Sequence, residues 1–128
     1  HHQKALILGD GGASRAVAYV LRKLGIEYLI VSRRARNKQV AYKDLSQDLM
    51  AEHLLIINTT PLGTFPETEG CADIPYQFFS DKHLAYDLVY NPAETEFLKR
   101  AKANGASTKN GLEMLHIQAE KAWEIWNS

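Results

Sequence analysis

The residues best suited to chemistry in this 128-residue chain are glycines. Gly9-Asp10-Gly11-Gly12-Ala13-Ser14-Arg15 follows the apolar run Ala5-Leu6-Ile7-Leu8 and opens a helical pattern that stops at Gly25. Strand, glycine turn and helix in that order build the corner that cradles a diphosphate in dinucleotide-binding folds. Gly9 allows the tight turn. Gly11 omits a side chain where the backbone must approach phosphate. Ser14 holds the third position, where a small residue lets helix and strand pack closely. The N–H groups of the first helical turn have no partner inside the helix, and the helix dipole adds about half a positive charge there. A plain glycine-rich turn of another α/β protein is the competing reading.

A second group follows the next apolar run, Tyr28-Leu29-Ile30-Val31. It reads Ser32-Arg33-Arg34-Ala35-Arg36-Asn37-Lys38, basic and without an acid. An acid at this point of a dinucleotide-binding fold holds the ribose hydroxyls of NAD, whereas an arginine accommodates the extra phosphate of NADP. Guanidinium forks match phosphate oxygens in pairs. The stretch therefore predicts NADP, with a solvated basic loop as the alternative, above all for Arg36 and Lys38. A third group, Asn58-Thr59-Thr60-Pro61-Leu62-Gly63, ends the buried run Leu54-Leu55-Ile56-Ile57. Ligands of such sheets lie beyond the carboxyl ends of the strands, so the amides and hydroxyls of Asn58, Thr59 and Thr60 are expected to face the cofactor. The competing reading is turn chemistry alone.

Hydride transfer belongs to the cofactor, and the protein positions it and manages the proton. Acid–base machinery is sparse. There is no nucleophile elbow, and the histidines at 1, 2, 53, 83 and 116 show no metal-ligand spacing. Asp87, at a strand's carboxyl end, and Lys109, near the last helix, could each exchange a proton, but nothing pairs them. The residues thus describe a cofactor-binding domain without its catalytic partner, with no metal.

The elements that must position these groups alternate along the chain. Strands are expected at Lys4 to Leu8, Tyr28 to Val31, Gln39 to Tyr42 near an edge, Leu54 to Ile57, His83 to Tyr90 and Ala106 to Thr108. Helices are expected from Gly12 to Leu24, from Leu45 to Glu52, from Asn91 to Asn104 and from Asn110 to Trp126. A single helical turn is expected at Tyr76 to Phe79. In the first helix Ala13, Ala16, Val17, Val20, Leu21 and Leu24 form the apolar stripe. Asn91-Pro92-Ala93-Glu94 reads as a capped helix start. The strands are continuously apolar, as in a parallel sheet covered on both faces. The whole reads as one Rossmann-type doubly wound α/β domain over residues 1–128, mainly parallel, with helices on both faces.

Composition sets bounds. The 15 basic and 15 acidic residues balance, which suggests neither nucleic acid nor a membrane surface as partner. No apolar run approaches the length of a membrane span. One cysteine, Cys71, excludes an internal disulfide and fits a reducing cytoplasm. The first strand begins almost at once, so the chain is expected to be cut from something longer.

Three separated motifs resemble the carboxy-terminal NADP-binding domain of shikimate dehydrogenase. They are Gly9 to Val17, Asn58 to Gly63, and the stretch from Asp87 to Trp126. The last contains Val89-Tyr90-Asn91-Pro92, Thr95, Gly111-Leu112-Glu113-Met114-Leu115 and Gln118. The resemblance implies reversible NADPH-dependent reduction of 3-dehydroshikimate to shikimate, in aromatic amino-acid biosynthesis. It implies that Gly9, Gly11, Gly12 and Ala13 contact the diphosphate, and that Arg33, helped by Ser32 and Arg34, clamps the 2′-phosphate. It further implies that Leu88, Gly111 and Met114 border the nicotinamide, and that Tyr90 and Gln118 reach substrate hydroxyls. An amino-terminal domain with a catalytic Lys-Asp pair has no counterpart here. The chain alone is therefore expected to bind NADP(H) without turnover, the substrate being held together with the missing domain.

The chain departs from that pattern in places. Asp10 stands where a small apolar residue is usual, Ser32 and Arg34 replace Asn and Thr around Arg33, and Thr64 replaces Met. The segment between the second strand and Leu45 is shorter than in many relatives. Two alternatives remain at this level: a quinate/shikimate enzyme using NAD, and a non-catalytic nucleotide-binding regulatory module. A methyltransferase is weaker, since it too would want an acid after the second strand.

Overall fold

Each apolar run serves two cores at once. A computed structural model describes residues 4–35, 38–64, 66–89 and 91–111. Strands β1 (Lys4–Leu8), β2 (Glu27–Ser32), β3 (Val40–Ala41), β4 (Leu55–Asn58), β5 (Leu84–Asp87) and β6 (Ser107–Lys109) form one sheet. Its order is β3-β2-β1-β4-β5-β6, and every pairing is parallel. Leu6 pairs with Leu29 on one side and Ile56 on the other, so β1 lies in the middle of the sheet beside β4. The pleat sends Leu6, Leu8, Val31, Ile56 and Ala85 to one face and Ala5, Ile7, Ile57 and Tyr86 to the other.

Helix α1 (Gly12–Lys23) covers the second face with Val17, Ala18 and Leu21. Helices α2 (Gln47–Glu52) and α3 (Glu96–Ala103) cover the first with Met50, Phe97, Leu98 and Ala101. Tyr76 and Phe79, in and beside a short 3-10 turn, stack there at 5.9 Å and meet Phe97 edge-on. Among the described residues no helix is long and apolar enough to cross a membrane.

The elements match the expected order, with three differences. Ala13 and Ala16 are exposed, and the buried stripe of α1 takes Ser14 and Ala18 instead. The fifth strand stops at Asp87 rather than Tyr90. Helix α3 begins after Thr95, not at Asn91: the Thr95 hydroxyl accepts from Leu98 N and is itself fastened to Asp87, while residues 91–94 form bends. The anchored hydroxyl fixes the cap, which a free asparagine does not. The expected final helix, apart from its start at Gly111, lies outside the described residues.

Candidate functional site

In this strand order the connection reverses direction between β1 and β4, which opens a crevice beyond their carboxyl ends. Two chain segments meet there. Gly9 leaves β1 with φ +113, and its N–H donates to Val31 O at 2.8 Å. A Cβ at Gly9 would stand 2.7 Å from Thr59 Oγ1, so only glycine fits both the backbone angle and the space. Leu8 O accepts from Thr59 N at 2.9 Å and from the Thr59 hydroxyl at 2.6 Å, which ties the β4 exit to the β1 exit.

Gly11 and Gly12 differ from Gly9. A Cβ built at either meets no atom of the described residues within 4 Å, and Gly11, at φ −115, uses an ordinary extended backbone. Among the described residues nothing needs glycine there, so the bare backbone is open to an outside group. Gly11 caps α1 without a side-chain hydrogen bond, and no acid occupies the first turn. The buried Ser14 donates its hydroxyl to Gly11 O at 2.7 Å, which holds the carbonyl without using up an N–H group. Open space, free amides and the dipole's positive end together suit an anion. Ala13 is exposed on the same turn, and so is Asp10 just before it.

Beyond β2, Arg33 and Arg34 are exposed, and among the described residues neither forms an ion pair with a carboxylate. Arg33 lies close enough to Tyr42 for its charge to act on the phenol: burial raises the Tyr42 pKa and Arg33 opposes the rise. Ser32 is different. It is buried and donates to Gln39 Oε1 at 3.1 Å, so its hydroxyl proton braces the loop and is not offered outward.

The Asn-Thr-Thr expectation needs correcting. Asn58 is fully buried and faces inward, donating to Asp87 Oδ1 at 3.1 Å. Its Oδ1 accepts from Thr60 N at 3.1 Å and from the Thr60 hydroxyl at 2.7 Å. Thr59 and Thr60 are half-buried at the crevice, but their hydroxyl protons are spent inside the protein. They shape the wall of the crevice and brace the glycine turn.

On the far side, Leu88 N donates to Asn58 O at 3.1 Å and is half-buried beside the end of β5. Gly111 is buried against it: a Cβ there would collide with the Leu88 carbonyl oxygen and stand 2.8 Å from the carbonyl carbon. Here glycine permits close approach of two backbones. Asn110 ties the same corner to residue 93, donating to Ala93 O at 3.1 Å. Asp87 is no free acid–base group, since its carboxylate is buried and accepts three hydrogen bonds. Burial raises its pKa, and the bonds from Thr95, Val89 and Asn58 oppose the rise. The composition held a signal for this: an acid in the apolar run Leu84 to Val89 must find partners if it is buried. Tyr90, Met114, Gln118, Arg36 and Asn37 lie outside the described residues. Among the described residues no group of three or more His, Cys, Asp or Glu could hold a metal ion.

No family model matches the chain. A shikimate dehydrogenase (NADP+) of Carboxydothermus hydrogenoformans is 39% identical over 138 residues, which cover 97% of this chain and 49% of that protein. A crystal structure of shikimate 5-dehydrogenase from Thermus thermophilus in complex with NADP(H) and shikimate superposes with TM-score 0.70 at 34% identity. It matches over 95% of this chain and 48% of that one. A quinate dehydrogenase from Corynebacterium glutamicum in complex with NAD gives TM-score 0.73 at 25% identity, over 98% of this chain and 50% of that one. The chain spans about half the length of the curated relatives it matches.

Proposed function

We propose, for a chain that belongs to the shikimate dehydrogenase family and spans about half the length of its members, that it is the NADP-binding half of such an enzyme. The reaction is the reversible, NADPH-dependent reduction of 3-dehydroshikimate to shikimate, carried out in the cytoplasm. The amide groups of Gly11, Gly12 and Ala13 hold the diphosphate, with Gly9 setting the turn. Arg33 and Arg34 hold the 2′-phosphate. Thr59, Thr60, Leu88, Gly111 and Met114 wall the nicotinamide half, and Tyr90 and Gln118 reach the substrate. When bound, the cofactor supplies the hydride. The protein supplies position and a dry wall, and the proton is managed by residues of a second domain.

One observation carries this reading above all. Gly11 and Gly12 clear a space that no described atom of the fold requires, at a helix start without a side-chain cap, on the same half of the sheet as two arginines that form no ion pair among the described residues. An NAD-using quinate enzyme shares the fold, but the absence of an acid after β2 favours NADP. The test is to join this chain to the amino-terminal half of a shikimate dehydrogenase and follow NADPH absorbance with 3-dehydroshikimate. Oxidation by the joined protein, and none by the 128-residue chain alone, is expected. Turnover by this chain alone, or a joined protein that oxidises NADH in preference, contradicts the reading.

A further inference from the structure

The Asp87 carboxylate is the only fully buried acid among the described residues. Its Oδ1 accepts from Val89 N at 2.9 Å and Asn58 Nδ2 at 3.1 Å, and its Oδ2 accepts from the Thr95 hydroxyl at 2.6 Å. These three donors belong to three different segments: the loop leaving β5, the end of β4 and the cap of α3. The network is directional. An ionised carboxylate only accepts, so it orients the Asn58 amide with Nδ2 inward and leaves Oδ1 to hold both donors of Thr60. It also lets Thr95 accept from Leu98 N while donating.

Burying a carboxylate costs several kcal/mol unless partners repay it. A cap and two strand ends could be pinned by neutral groups at less cost. What the charge adds is a single acceptor that three donors must all address, at the carboxyl end of the sheet, where ligands of such folds bind. The glycine turn also has ties of its own that do not pass through Asp87: Gly9 N to Val31 O, Ser14 to Gly11 O and the Thr59 hydroxyl to Leu8 O.

We propose that Asp87 is a positioning residue for the nicotinamide end of the cofactor: through Asn58, Val89 and Thr95 it sets the wall formed by residues 58–60 and 88–89. This rests on the cofactor assignment above. The adenosine end, over β1, β2 and β3, has those ties of its own and meets the network only at residues 58–60. The two ends therefore respond differently when the network is broken.

The experiment is calorimetric titration of this chain and its variants with NADP+ and with 2′,5′-ADP, which carries the adenosine and the 2′-phosphate but no nicotinamide. Asp87→Asn and Thr95→Val should weaken NADP+ by about tenfold, one lost charge-assisted bond, and 2′,5′-ADP by less than about twofold. Thr95→Ser, which keeps the hydroxyl, should restore NADP+ binding. Equal weakening of both ligands, or no weakening of NADP+, overturns the inference and leaves the cofactor assignment standing. Where Asp87→Asn does not fold, the Thr95 pair decides in the same way. A native chain that binds neither ligand overturns the cofactor assignment, and this inference with it.

Discussion

Single glycines of the same turn have opposite reasons for being glycine. At Gly9 a side chain would meet Thr59 and would have to adopt φ +113, so Gly9→Ala should cost the fold on the order of 1–3 kcal/mol. At Gly11 the space is open and the backbone ordinary. Gly11→Ala should therefore change stability by less than about 1 kcal/mol, since a poorer cap is offset by a stiffer unfolded chain. Its NADP+ affinity should nevertheless fall about tenfold or more, because the methyl group occupies the diphosphate's place. Thermal melts beside titrations separate the two effects. A Gly11→Ala chain that binds as the native one does would remove the diphosphate from that turn.

Asp87 gives a prediction with a defined sign. Its folded pKa lies above the ordinary carboxylate value of 3.8, so the native state holds that proton more tightly than the unfolded chain. By linkage its contribution to stability is full below the unfolded value and is lost as pH rises through the folded one. Asp87→Asn does not titrate there. The gap in melting temperature between native and variant should thus be wider near pH 4 than near pH 7. A gap wider at neutral pH would place the folded pKa below the unfolded one.

At the scale of elements, the strands were legible because each is buried on both faces, so one apolar run encodes both the strand and its place in a parallel sheet. The glycine turn was legible for the same reason that it is useful: its backbone demands are local. What escaped was polar and long-range. Asn58 at a strand end can face a ligand or the interior, and its partner Asp87 is 29 residues away. The start of α3 was displaced from Asn91 to Thr95 because that same carboxylate anchors the Thr95 hydroxyl. The bond from the Ser32 hydroxyl to Gln39 is likewise not legible from the sequence. Gly111 is singled out in the sequence only by resemblance, and the contact that requires glycine there, backbone packed on Leu88, appears only in three dimensions. Gly111→Ala should push residue 111 off Leu88 and lower the melting temperature by several degrees, about 1–3 kcal/mol for an overpacked contact. An unchanged melt would mean that Leu88 and Gly111 do not touch in solution.

For the molecule as a whole, the two halves of one sheet are built differently. The half with β1, β2 and β3 presents a helix start without a side-chain cap and two exposed arginines without carboxylate partners among the described residues, while the half with β4 and β5 is braced inward on Asp87. Under the proposed function, recognition of the coenzyme's phosphates falls to the first half and placement of its reactive ring to the second. Calorimetric titration of this chain with NADP+ and NAD+, native and Arg33→Ala, tests that division most directly. NADP+ should bind more tightly than NAD+, and the substitution should weaken NADP+ by about tenfold or more while leaving NAD+ unchanged. Equal losses for both coenzymes, or no binding of NADP+ by the native chain, would contradict the account.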